Sequence, residues 1–181
     1  WSTERFGGAA TTIEPTTDGN VYIGDNKRIN LITDKTNNLF VSIDSTGIIN
    51  FTANNSLQGT GEFRLNQFGK MEIEHFQGIT TAPNVSGAVQ MSIRNYNYNN
   101  HKRGIFEYKG TSNQFIGDGL PDNTYRLIMN KPSNSLTFNQ PSKVILDSLY
   151  LKSGDFSYNT SFTIQGNLRR SAGVSFGYTS T

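Results

Sequence analysis

At 181 residues the chain fits one domain or two small ones, since a domain takes roughly 100–200 residues, and a large multidomain enzyme is excluded. Sixteen basic residues against fourteen acidic ones leave a net charge of +2, and outside Lys102-Arg103 and Arg169-Arg170 the basic residues are scattered, so no nucleic-acid footprint is expected. The absence of cysteine removes disulfides, thiol chemistry and cysteine metal sites together, and no apolar run approaches the roughly 20 residues of a membrane helix, so membrane insertion is not expected.

The chain opens at Trp1 without an initiator methionine or a leader pattern, which reads as a piece of a longer polypeptide or a processed product. Residues 1–18, with Gly7-Gly8, Pro15 and repeated threonines, carry no sustained period and are expected to form an extended connector. From residue 19 the pattern changes. Asn, Thr, Ser and Gly together supply 75 of the 181 residues, chemistry suited to frequent turns, while 12 Phe and 8 Tyr provide enough large apolar groups for a core.

Between the turn residues, short stretches alternate apolar and polar positions, the period of a half-buried strand. In Glu62-Phe63-Arg64-Leu65, Phe63 and Leu65 share one face and Glu62 and Arg64 the other. The same alternation runs through residues 28–32, 39–43, 70–76 and 88–93, placing a first β unit over 19–94. The segment 95–104, containing Asn95-Tyr96-Asn97-Tyr98-Asn99-Asn100, is too polar for core and reads as a linker or loop. A second β unit and C-terminal tip over 105–181 follows from alternation at 104–109, 125–129, 161–165 and 173–178. Along Val144, Leu146, Leu149 and Leu151 the apolar phase slips by one at Asp147-Ser148, as a bulge requires. No window favours a 3.6-residue period, and Gly87 counts against a helix at Val85, Val89 and Ile93. The expected fold is all-β, with short antiparallel strands in a fibre-type or sandwich-like module, and Phe63, Leu65, Met71, Ile73, Val144, Leu146, Phe162 and Ile164 buried.

A weak internal echo supports two units. Val21-Tyr22-Ile23-Gly24-Asp25 is matched by Gln114-Phe115-Ile116-Gly117-Asp118, and Lys35 to Leu39 resembles Lys131 to Leu136. No repeated solenoid coil, collagen-like triplet or heptad pattern is visible.

Catalysis needs convergent titratable groups, and none stands out. His75 and His101 lack the spacing of metal ligands and read as strand-end or surface residues. Glu72 and Glu74 alternate with apolar Met71 and Ile73, as any solvated strand face does, and Asp118 and Asp122 look like turn acids. No phosphate-binding, dinucleotide or nucleophile-elbow motif occurs, so no enzyme activity, catalytic residue, metal or cofactor is expected. Recognition chemistry is the stronger signal. Tyr96, Tyr98, His101, Arg103 and Tyr108 form the densest group of aromatics with polar neighbours, suited to stacking on sugar rings and bonding hydroxyls, and Arg169 with Arg170 forms a cationic reserve.

The runs Asp18-Gly19-Asn20-Val21-Tyr22-Ile23-Gly24, Asp44-Ser45-Thr46-Gly47-Ile48-Ile49-Asn50-Phe51 and Ser135-Leu136-Thr137-Phe138 give the chain a style that resembles bacteriophage tail-fibre and related receptor-binding proteins. The resemblance implies a homotrimer of intertwined or side-by-side strands, located extracellularly in the virion. It implies contacts with other virion proteins and binding of a host-surface glycan or outer-membrane protein through distal loops. The expected function is a structural and adhesive fibre segment. A monomeric carbohydrate-binding β-sandwich and a polysaccharide-degrading tailspike domain remain the alternatives.

Overall fold

The computed structural model describes residues 19–24, 26–81, 86–96 and 103–179; the connector expected at 1–18 lies outside them. In chain order the first strands are β1 (Val21–Ile23), β2 (Arg28–Leu31), β3 (Lys35–Thr36), β4 (Phe40–Ile43), β5 (Ile48–Phe51), β6 (Leu57–Leu65), β7 (Lys70–Ile73) and β8 (Val89–Asn95). The rest are β9 (Ile105–Tyr108), β10 (Gln114–Phe115), β11 (Asn123–Phe138), β12 (Lys143–Tyr158), β13 (Phe162–Ile164), β14 (Asn167–Arg170) and β15 (Ser175–Tyr178). Among the described residues 86 lie in strands and none is helical, which agrees with the all-β expectation.

The pairing differs from expectation: every ladder among the described residues is parallel. Alternation along one strand cannot distinguish the two cases, because side chains have period two in both. What separates them is the partner's distance in sequence. Here strands consecutive in sequence belong to different sheets or coils, and cross-strand bonds join residues 20 to 24 apart, as in Asn50 Nδ2 to Asn30 Oδ1 and Asn66 Nδ2 to Ser42 Oγ. That is long enough for the crossover a parallel pair needs and too long for a hairpin.

One register row shows the architecture. Arg28, Ile48, Lys70, Ile105, Arg126, Ser148 and Asn167 lie side by side across β2, β5, β7, β9, β11, β12 and β14. The chain advances about one coil every twenty residues, with a larger excursion between Lys70 and Ile105 that contributes β8 to the other sheet. The fold is therefore a β-solenoid of stacked coils, not a sandwich of antiparallel strands. A five-stranded sheet carries β1, β3, β4, β6 and β8; a ten-stranded sheet carries the rest. The ten-stranded sheet passes directly from β7 to β9, so the units expected at 19–94 and 105–181 are neighbouring coils of one stack sharing one core.

Inside the coils, identical positions form apolar columns. Leu31, Phe51, Ile73, Tyr108, Met129 and Leu151 make one, Ile49, Met71, Phe106, Leu127 and Leu149 the next, and all are at most 1% exposed. Val21, Val41 and Phe63, with Ile23, Ile43 and Leu65, face them from the other sheet. Each such side chain contributes roughly 1.5–3 kcal/mol on burial, so the columns are the main source of stability in a chain without disulfides. The expected burial of Phe63, Leu65, Met71 and Ile73 is observed; Phe162 and Ile164 are partly buried against the core. Val144 and Leu146 are a correction. They face outward, and Ile145 between them is fully buried. The bulge is real, since Thr124 pairs with Ile145 but Arg126 with Ser148, leaving an extra residue on β12 at Leu146-Asp147; the core phase is Ile145, Leu149, Leu151.

The corners are closed by polar side chains. The Lys131 ammonium is buried and donates to Gly110 O at 2.6 Å, Ser112 O at 2.7 Å and Gln114 Oε1 at 2.7 Å. Lys143 Nζ donates to Leu120 O at 2.6 Å and to Asp122 at 2.9 Å. Coils approach so closely at one corner that a Cβ on Gly166 would stand 1.9 Å from Asp147 O.

Candidate functional site

Of the residues expected to bind a ligand, Tyr98 and His101 lie outside the described residues. Tyr96 and Tyr108 are in the core, a correction to their expected exposure. Tyr108 alternates inward with Phe106, and its hydroxyl donates to Ile116 O at 2.6 Å. Tyr96 packs on Phe63 and Phe106 at ring separations of 5.8 and 6.0 Å. Burial pushes both phenols well above their ordinary pKa, with Arg94 opposing this at Tyr96. Neither ring can stack on a surface sugar.

Arg103 is exposed, its guanidinium 5.5 Å above the Phe68 ring. Phe68 meets Tyr125 edge-on at 5.9 Å, and Arg126 lies 5.5 Å over Tyr125, so Arg103 stands at one end of a cation–aromatic run across the coils. Arg169 and Arg170 alternate on β14. Arg170 occupies the row of Met129 and Leu151 but is exposed on an outer strand, whereas Arg169 pairs in register with Tyr150 and faces outward.

Arg169 borders a groove of about 280 Å³ on the outward face of β11, β12 and β14. Two register rows build it: Arg126, Ser148 and Asn167 in one, Ile128, Tyr150 and Arg169 two residues further on. Buried Ile128 and Ser148 form the floor, and half-exposed Tyr150 presents an aromatic ring. Asp147 and Lys152 complete the rim, with Lys152 Nζ 5.3 Å from the Tyr150 centroid. Asp147 belongs to the β12 bulge itself, and the change of phase there brings Tyr150 onto this wall. Arg126 is held in place by Asp147 Oδ2, which accepts from Nε at 2.9 Å and Nη2 at 2.7 Å, while Nε also donates to Ser148 Oγ at 3.1 Å. Burial alone would raise the Asp147 pKa; the hydrogen bonds from Arg126 and Ser148 outweigh it and keep the carboxyl low and ionised. One anion thus faces three cations, Arg126, Lys152 and Arg169. Sequence reasoning reached Arg169 but missed Arg126, Tyr150, Lys152 and Asn167, which come from three successive coils, Tyr150 and Lys152 sharing one strand, and meet only through the register.

No family model, curated protein or solved structure matches this chain.

A second groove of about 290 Å³ lies on the other sheet, along Leu39, Phe40, Glu62, Arg64 and Ile93. Its guanidinium sits 4.6 Å over Phe40 and 2.7 Å from Glu62, so its charges are matched. The carboxylates weighed for catalysis are also tied up. Glu72 is met by Arg28 at 2.5 Å, Lys109 at 2.9 Å and Lys70 at 3.1 Å; burial would raise its pKa, but these bonds hold it at about 2. An acid held there stays ionised and is no proton donor near neutral pH. His75 is buried against Phe76, and desolvation lowers its pKa against the opposing pull of Asp34. Among the described residues no group of three or more His, Asp or Glu is placed to hold a metal ion.

Proposed function

We propose that the chain is a structural and adhesive segment of an extracellular virion fibre, assembled as a homotrimer, that attaches to a host-surface glycan without catalysing a reaction on it. The observation that carries this reading is the groove at Arg126, Tyr150 and Arg169: an aromatic ring, hydrogen-bonding groups and cations fixed on a rigid stacked sheet. Ligand sites combine a largely preformed concavity with a few fixed polar groups, and this groove has both. Assembly has a supporting feature too. The outer coil exposes Leu168 at 47% and Tyr178 at 63%, on strands β14 and β15 that, among the described residues, pair only with β12. Such edges favour association with other chains, whether copies of this one or other virion proteins.

The test is solution mass by light scattering together with attachment of the purified chain to host cells. Three times the chain mass is expected, as is attachment that falls in Tyr150→Ala and Arg169→Ala proteins of normal circular dichroism. A stable monomer across micromolar concentrations refutes the trimer, and undiminished attachment by both variants refutes the groove as the receptor site.

A further inference from the structure

We infer that the groove on β11, β12 and β14 selects sugars bearing an anionic substituent, a carboxylate or a phosphate ester, and not neutral ones. The inference rests on the reading of this groove as a glycan site and names its ligand class. Sequence chemistry alone pointed the other way, to exposed tyrosines and amides engaging neutral hydroxyls. The structure removes Tyr96 and Tyr108 from the surface and assembles a different set of groups around Tyr150.

Three cations and one carboxylate rim the groove, and that carboxylate is spent on orienting Arg126. Both bonds from Arg126 to Asp147 use Nε and Nη2, which leaves Nη1 with no hydrogen-bond partner among the described residues. Arg169 and Lys152 have no carboxylate partner among the described residues either. The unmatched Arg169 guanidinium and Lys152 ammonium, with Nη1 of the Asp147-anchored Arg126, leave an excess of donors and positive charge that favours a carboxylate or a phosphate, both of which accept charge-assisted N–H bonds.

Geometry then argues for a sugar over a bare ion. Arg126 and Arg169 sit two strand spacings apart across the sheet and two residues apart along it, about 12 Å between backbone positions, with Tyr150 on the strand between them. A small inorganic anion reaches one end of that span; a sugar ring lying on Tyr150 with a charged substituent reaches across it. Asn167, exposed beside Arg169, offers an amide to the hydroxyls. The floor of Ile128 is apolar, which suits the C–H face of a ring.

The experiment is calorimetric titration of the full chain with four probes: oligogalacturonate, its methyl ester, a phosphorylated oligomannose and the same oligomannose without phosphate. Binding of at least one charged probe, at least about tenfold tighter than its neutral counterpart, is expected. That binding should weaken about tenfold or more in Arg169→Gln and in Lys152→Gln, and as salt rises from about 0.05 M to about 0.5 M, while Arg170→Gln, on the other face of β14, leaves it unchanged. Which charged probe binds distinguishes the carboxylate from the phosphate. Equal binding of charged and neutral probes, lost in Tyr150→Ala, overturns the anionic selectivity while leaving the glycan reading intact. Charged-probe binding that Arg169→Gln and Lys152→Gln do not alter overturns the assignment to this groove. Absence of binding to all four probes overturns the selectivity, and the host-cell assay with Tyr150→Ala then decides the glycan reading separately.

Discussion

Replacing Glu72 by Gln should remove a large electrostatic contribution to the stability of the stack. The Glu72 side chain is 3% exposed and sits on the outer face of β7 under Arg28, Lys70 and Lys109, with Glu107 beside it meeting Lys70 and accepting from Asn130 Nδ2 at 2.7 Å, and Glu74 3.9 Å from Lys109. A carboxyl held at about 2 in the fold and at its ordinary 4.5 in the unfolded chain contributes about 3 kcal/mol. The native pKa is the lower one, so this contribution is fully present above 4.5 and is lost as pH falls from there toward 2. In Glu72→Gln three cations converge with only Glu107 and Glu74 to balance them, and the cost at neutral pH should be about 3 kcal/mol. Urea unfolding followed by circular dichroism, for both proteins at about pH 7, 4.5 and 2.5, measures the gap and its closure on acidification. An unchanged midpoint at neutral pH, or a gap that stays constant down to about pH 2.5, refutes the reasoning.

Two further perturbations test the core and the corners. Ile145→Ala should destabilise by about 2–4 kcal/mol and Val144→Ala by under about 1 kcal/mol in the same urea assay, because only Ile145 leaves a cavity; the reverse order would restore the phase read from the sequence. Lys131→Met should cost about 1–3 kcal/mol by leaving the carbonyls of Gly110 and Ser112 without their donor. Desolvation lowers the Lys131 pKa to about 8 from 10.5, so the native chain releases this proton first and wild type should gain stability over the variant between those values; a difference independent of pH there refutes the assignment.

Strands were legible because alternation is a local signal. The stretches 39–43, 70–76 and 104–109 each contain the strand that forms there, and 88–93 overlaps β8, which runs on to Asn95. The coil was not, because a column asks only for apolar character at each level. Leu31, Phe51, Ile73, Tyr108, Met129 and Leu151 share one environment and almost no identity, so no repeat of about twenty residues survives in the letters. The excursion between Lys70 and Ile105 also breaks the period midway. The echo between Val21–Asp25 and Gln114–Asp118 approximates the spacing of four coils, since Arg28 reaches Arg126 in four register steps.

The site was less legible than the fold, for a related reason. A cluster of tyrosines in sequence suggests an exposed surface only if its rings face out, and in a strand alternate residues take opposite faces; Tyr108 follows Phe106 inward. In a solenoid the neighbours that build a surface lie one coil apart. Arg126, Ser148 and Asn167 are unremarkable singly, yet the register sets them along one wall at a spacing of about 5 Å per strand. Local sequence therefore reports the core through composition, whereas binding chemistry is written across coils. The β12 bulge links the two: it moves Leu149 and Leu151 into the core and thereby turns Tyr150 outward onto the groove, so one extra residue at Leu146-Asp147 fixes both packing and surface.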